Sequence, residues 1–336
     1  MWGCSVWQPH DYLLQKGCDL MEKKMKKKKT PVSNKPLSVR LYTYRWFYVM
    51  FLPVLAFLIV FHYLPLAGIR YMFYSYTSAF NIKWVGLDNF IDLVSRPPFW
   101  NSFINTLELS IIKLLLNTFM AVIISLLLNE MVNIYFKKIT QTIIYLPHFM
   151  SWVVTASVFT LILSTYSSGL VNTMLKTMGI IEAGEEISFL TSTEWWRFTY
   201  YLINIWKDTG WGTIVFLATL SGISPDLYEA AQIDGANRWD RMRWITFPSL
   251  ANTIITVLIL NLAKIMNLFE SVFVLTNDIV TEVSQVLQTY TYDITFTSAP
   301  DYGFSTAVGF FRSMVGCLLV IICNFASKKV RGRGIV

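Results

Sequence analysis

Charge is what this 336-residue chain has least of: 15% of its residues are Asp, Glu, Lys or Arg, against about a quarter in a soluble domain. That shortage excludes an ordinary water-solvated globule. Histidine is scarce too. His10, His62 and His148 are scattered and form no H-E-x-x-H, which argues against a membrane metalloenzyme. His148 follows Pro147 inside an apolar run, so a kink and a buried hydrogen bond account for it. The cysteines Cys4, Cys18, Cys317 and Cys323 make no close metal-ligand pair, so neither a zinc site nor a disulfide framework is expected. No G-x-x-x-x-G-K-[ST] loop occurs, so nucleotide phosphates are not cradled by that motif. No fixed-period repeat or separate soluble domain is legible. Residues 1–20 lack the basic-then-apolar order of a signal peptide. Met21 is the expected start; the alternative is a short interfacial segment using Trp2 and Trp7.

What the chain has is apolar length. Hydrophobic residues make up 54% of it, and six runs approach the roughly twenty residues that cross a bilayer. They cover about Trp46–Leu66, Thr106–Leu128, Ile139–Ser164, Tyr200–Ile223, Ile254–Thr276 and Phe304–Ala326. Backbone groups in lipid must be satisfied within the segment, so each run is expected to be a helix and the fold all-α. The short alternating segments of a β-barrel are absent from the sequence. The net charge of +7 is a topology signal, not a nucleic-acid signal. Ten Lys or Arg precede the first run, Lys137 and Lys138 follow the second, Arg238, Arg241 and Arg243 follow the fourth, and Lys328, Lys329, Arg331 and Arg333 end the chain. The alternate connections hold only Arg70, Lys83, Arg96, Lys176 and Arg197. By the positive-inside rule both termini face the cytoplasm. The expected layout is a basic arm over 1–45, a first crossing over 46–66, a core of five crossings over 105–326, and a basic tail over 327–336. The arm's Lys23–Lys29 cluster is suited to anionic membrane lipid.

The connection after the fourth run is unusually structured. Ser224 is an N-cap and Pro225 stands at the first helical position, where its missing N–H costs nothing. Asp226 and Glu229 suit the positive end of the helix dipole. The pattern predicts a helix to about Ile233, a bend at Gly235, and a second short helix from Ala236 to about Trp244, with Pro248 at the entry of the fifth run. Ala230, Ala231, Ile233, Met242 and Ile245 fall at helical spacing, so the element needs something to cover it. A second subunit, the chain's own helices and the headgroups remain open as that cover.

The stretch "EAAQIDGANRWDRMRWITFP" resembles the EAA loop of membrane subunits of ATP-binding-cassette importers. Glu229, Ala230, Ala231, Asp234, Gly235, Ala236, Ile245 and Pro248 match that pattern. Met242 stands where the family usually has Phe, and Asn252 where a second proline is expected. The resemblance runs from about Asn105 to the C-terminus and is closest to carbohydrate permeases of the polysaccharide or complex-oligosaccharide branch. "WKDTGWGTIVFLATLSGISPDLYEAA", "NLFESVFVLTN", "YGFSTAVGFFRSMVG" and "NFASKKVRGRGI" support it. It implies a six-helix permease fold in a bacterial cell membrane and no catalytic residue. It implies a second homologous permease, two ATPase subunits holding ATP and Mg, and an extracellular solute-binding lipoprotein. The residues Glu229 to Ala236 named above would dock on the ATPase, and its closure would drive rigid-body alternating access.

Ionisable residues inside the runs are Glu108, Lys113, Lys207, Asp208, Lys264, Glu270 and Arg312. They are costly in lipid and should face the bundle interior, a partner or a wet cavity. Lys207 and Asp208 are consecutive, so on a helix they point about 100° apart and need different partners. The resemblance places Asn267, Phe269 and Glu270 near the pathway; Trp206 and Trp211 are further candidates. Aromatic faces that stack on sugar rings, with polar groups for hydroxyls, suit a carbohydrate. The rival class is a secondary transporter of a polar solute, also a helix bundle with internal charge. A receptor or scaffold is the third.

Overall fold

The computed structural model describes residues 37–78, 80–166, 169–182, 184–296 and 299–331. Met21, the Lys23–Lys29 cluster, Cys4, Cys18 and Arg333 lie outside the described residues. Contacts divide the chain into two units, residues 1–68 and 69–336.

In the first unit, helix α1 (Arg45–Leu58) is apolar on every side and buries no residue. It runs through a π-turn at Ile59–Tyr63 into Leu64–Leu66. A helix apolar all round seeks a non-aqueous surrounding. The π-turn sits just before Pro65, and a second one, at Met242–Thr246, sits just before Pro248. The physical reason is shared: a proline ring clashes with the carbonyl four residues back, and one widened turn lets the helix continue past it.

The second unit is a helical bundle with one exception to the all-α expectation. Strands β1 (Tyr74–Ser78) and β2 (Asn81–Trp84) form an antiparallel hairpin. Asn89 on helix α2 (Asp88–Ser95) donates to the carbonyls of Met72 and Tyr74, both at 2.9 Å, and holds the hairpin down. The axis of the unit is α3 (Pro97–Asn129) packed against α6 (Thr193–Ser221). Three apolar clusters are layered along them. Phe99 and Leu93 meet Leu287 and Phe304. Leu109 meets Trp196, Tyr200 and Val272. Ala121 and Leu128 meet Phe216, Leu220 and Leu250. At the first of these ends Arg197 ties the pair together. Its guanidinium binds Glu108 and donates to Asn105 Oδ1 at 2.8 Å and to the Val283 carbonyl at 3.3 Å.

The expected runs are altered in three places. Run three is not one helix: α4 (Ile134–Tyr145) and α5 (Trp152–Ile162) meet at 103° around Leu146–Ser151, where Pro147 ends the helical ladder. Run five is displaced towards its N-terminal side. The continuous helix is Arg238–Leu262, which includes α8 (Phe247–Leu262), and Ala263–Phe269 is irregular. Run four is α6, with 29 residues, about 44 Å, long enough to cross but interrupted by Arg197, Lys207 and Asp208. Among the described residues four helices are long and apolar enough to cross a membrane, or five if the bent pair is one span. The last of them lies within α9 (Tyr302–Arg331).

Candidate functional site

Two features stand out in the second unit: a half-open cavity and a projecting helix. The cavity, of about 330 Å³, lies between α3, the α4–α5 break, α6 and the end of α8. Its geometry starts from the break. Where a helix bends in an apolar setting, the freed carbonyls need donors. Lys207 supplies them: its ammonium donates to the carbonyls of His148 at 3.0 Å and Met150 at 2.7 Å, and the residue is 4% exposed. Asp208, one residue on, turns to the cavity. It lies 3.4 Å from Lys113 Nζ and 3.5 Å from His148 Nδ1.

The expected buried hydrogen bond of His148 is not made. Nδ1 makes no hydrogen bond, although an Asp208 oxygen lies 3.5 Å away. The ring is held instead by stacking on Trp211, centroids 5.0 Å apart. Lys113 and Lys207 both approach the face of Trp152, at 5.6 and 5.3 Å.

Of the residues expected along the pathway, Trp211 and Asn267 line this cavity. Three do not. Trp206 faces the other way and packs edge-on against Phe159. Phe269 stacks on Phe273 and touches Tyr292. Glu270 is exposed and begins a short helix, Glu270–Phe273. Phe269 ends the irregular Ala263–Phe269 segment, Glu270 follows it, and both lie outside the cavity lining. Ser110, Asn117 and Asn261 line it and were missed. Their polarity inside apolar runs was the available signal; Ser110 Oγ and Asn117 Oδ1 are buried without a hydrogen bond.

The projecting element is α7 (Pro225–Ile233), which buries no residue. Ser224 Oγ accepts from the Asp226 N–H at 3.3 Å and caps its start. Its end is a Schellman motif: Ala236 N–H donates to the Ala231 carbonyl at 2.9 Å and Gly235 N–H to that of Gln232 at 3.1 Å. Gly235 takes φ of 84°, the left-handed region a side chain resists. Asn237 and Asp240 then form a reciprocal capping box that opens Arg238–Arg241. The second limb is therefore no separate short helix ending near Trp244, as expected. It passes through the Met242–Thr246 π-turn directly into α8. Tyr228 OH and Thr246 Oγ1, 3.1 Å apart, fasten α7 to that joint. Glu229, Ala230, Asp234 and Gly235 are exposed, and Ala231 and Ala236 half-buried. Leu227 and Ile233 expose apolar surface, 54% and 86%.

In the connection between α5 and α6, Lys176 binds Glu186 and holds its carboxyl below the usual carboxylate range.

Comparison with known proteins agrees on one lineage. Residues 115–331 match the family described as the binding-protein-dependent transport system inner membrane component. Protein LplB of Bacillus subtilis is 38% identical over 87% of this chain and 91% of its own length. The polygalacturonan/rhamnogalacturonan transport system permease protein YteP of the same organism is 38% identical over 90% and 93%. A solved bacterial ABC transporter involved in the import of the acidic polysaccharide alginate superposes with a TM-score of 0.80 at 34% identity, over 88% of this chain and 100% of that one. A bacterial alginate ABC transporter solved in complex with an alginate pentasaccharide-bound periplasmic protein superposes with a TM-score of 0.80 at 34% identity, over 90% of this chain and 100% of that one. This chain is a multi-pass membrane protein and belongs to the family of binding-protein-dependent transport system inner membrane components.

Proposed function

We propose that this chain is the membrane-spanning permease subunit of an ATP-binding-cassette importer that moves a sugar or oligosaccharide. A solute-binding lipoprotein outside the cell delivers the solute. Two partner ATPases hydrolyse ATP with Mg, and this chain contributes no catalysis. The observation that carries the reading is α7, capped at both ends and fixed at a defined bend, yet without one buried residue. Order of that kind on an exposed helix needs a partner to explain it. Glu229, Ala230, Ala231, Asp234, Gly235 and Ala236 form the proposed ATPase-docking segment. The two alanines allow close approach, and the Glu229 carboxylate has no partner among the described residues.

The cavity is the proposed solute pathway, with Trp211 as a stacking face and Asn117, Asn261 and Asn267 as hydroxyl partners. Asn261, Lys264 and Asn267 are exposed although they line it. One wall is thus left for a second, homologous permease to complete. Six crossings are proposed, α6 among them. Its charge is compatible with that role because Lys207 is spent on carbonyls and Asp208 faces Lys113. The basic connections support cytoplasmic termini, with an arm over 1–45, a first crossing over 46–66, a core over 105–326 and a tail over 327–336. Family membership favours ATP coupling over the secondary-transport alternative.

The test is Gly235→Asp. The variant should reach the membrane at normal level and copurify with little ATPase, and solute uptake should stop. Normal ATPase stoichiometry with this variant, or uptake by the unaltered protein in ATP-depleted but energised vesicles, overturns the reading.

A further inference from the structure

Helix α2 (Asp88–Ser95) is apolar on two opposite sides. Asn89 and Leu93 are buried on one side, and Phe90 packs beside them on the same core. A helix at a water-facing surface turns charged and polar residues away from its core. Here the side away from the core carries Leu87, Ile91 and Val94, exposed to 61%, 67% and 57%. At 100° per residue these three fall within an arc of about 60°, roughly opposite the buried pair. Asp88 and Asp92 share one edge between the two sides.

The position of α2 says what surrounds that outer side. The Phe90 ring lies edge-on to Phe310, centroids 6.2 Å apart. The Arg96 guanidinium, bound to Asp92, lies 4.1 Å from the centre of the Phe304 ring. Phe304 and Phe310 belong to the first three turns of α9, a helix long and apolar enough to cross a membrane. So α2 lies beside a crossing helix, not above it. Trp100 Nε1 donates to the Val94 carbonyl at 2.8 Å and pins the end of α2 to the first turn of α3, a second crossing helix. Two exposed indoles, Trp84 and Trp100, flank the stripe in sequence, and tryptophan is the residue of the membrane–water boundary. Lys83 and Arg96 match Asp88 and Asp92 in number, so the segment has no excess of positive charge to draw anionic lipid.

We infer that α2 is an interfacial anchor whose outer side is covered by lipid. Leu87, Ile91 and Val94 enter the acyl region, and the Asp88–Asp92 edge looks to water. Helices of this kind sit about 5–10 Å into the boundary between headgroups and acyl chains. Hydrophobic burial holds this one, so zwitterionic lipid suffices. Because Trp100 ties α2 to α3, and Asn89 ties it to the hairpin, the anchor sets the depth of the α3–α6 axis. It is independent of the cargo and of which leaflet it occupies.

The experiment uses the complete importer in nanodiscs, with Cys4, Cys18, Cys317 and Cys323 replaced by serine and the partner subunits cysteine-free. A nitroxide is placed in turn on Ile91→Cys, Val94→Cys and Asp88→Cys. Its collisions with oxygen, which concentrates among acyl chains, and with a nickel chelate, which stays in water, are read by power saturation. In phosphatidylcholine the oxygen-to-nickel ratio at Ile91→Cys and Val94→Cys should exceed that at Asp88→Cys by roughly fivefold or more, as expected of acyl against aqueous surroundings. Val94→Cys decides the matter if Ile91→Cys fails to assemble. Adding phosphatidylglycerol should leave the ratios unchanged. Equal ratios at the three positions place the stripe in water and overturn the inference. Low access to both reagents at Ile91→Cys and Val94→Cys means a protein covers the stripe and overturns it as well. So does a contrast that appears only with phosphatidylglycerol present.

Discussion

Lys207 and Asp208 are adjacent in the chain and serve different partners. Their divergent directions were legible from helical geometry, as was the expense of placing either inside an apolar run. Their partners were not, because the break at Leu146–Ser151 lies some sixty positions earlier. A proline marks such a break but does not say which donor will answer its carbonyls. The structure makes Lys207 that donor. Lys207→Met keeps the stem and removes the ammonium, leaving two carbonyls unanswered. Each unpaired buried polar group costs about 1–3 kcal/mol. The midpoint of denaturant unfolding in detergent should fall accordingly, and the α4–α5 junction should exchange its amide hydrogens faster. An unchanged midpoint and exchange pattern would show that the carbonyls find another donor. Gly210 makes the same neighbourhood tight: a Cβ there would come within 2.3 Å of the Ile144 carbonyl. Glycine in "KDTGWGT" is thus explained by how closely α6 passes the end of α4, a proximity absent from any local pattern.

At the scale of elements, caps were the most legible features. Ser224, Pro225 and Gly235 do what their chemistry predicts, because capping acts over three or four residues. The error lay in reading Pro248 as the start of a new helix. The π-turn at Met242–Thr246 lets α8 begin upstream of it, and a π-turn has no sequence signature as plain as proline's. Likewise Phe269 and Glu270 were assigned to a continuous run whose apolarity extends to Thr276. Val272 and Leu275 are buried in one cluster with Trp196, which keeps that stretch apolar without joining it to the long helix. The capping box at Asn237 sits where α7 hands over to the long helix. Asn237→Ala should cost about 1 kcal/mol. It should also loosen the joint, seen as faster hydrogen exchange at residues 237–241 and as ATP hydrolysis less well matched to solute uptake. Unaltered coupling would mean that the Tyr228–Thr246 contact alone holds the angle.

For the whole molecule, class and lineage came from apolar run lengths and from the loop between the fourth and fifth runs. The hairpin at Tyr74–Trp84 and the cavity did not, since both depend on contacts between distant segments. The orientation drawn from basic residues is open to direct measurement. With Cys4, Cys18, Cys317 and Cys323 replaced by serine, Ile233→Cys should react with a membrane-impermeant maleimide in inside-out vesicles and stay unlabelled in intact cells. The reverse pattern would invert the molecule and remove α7 from any cytoplasmic enzyme.

The uninterrupted helix from Arg238 to Leu262 has 25 residues, about 38 Å of rise. One end adjoins the Gly235 turn and the other adjoins Lys264. A rod fixed in this way has few ways to bend, so tilting it at the wet end swings the opposite tip through an arc set by its length. An angular change of a few degrees at the Gly235 end would therefore displace the Lys264 end without any intermediate relay.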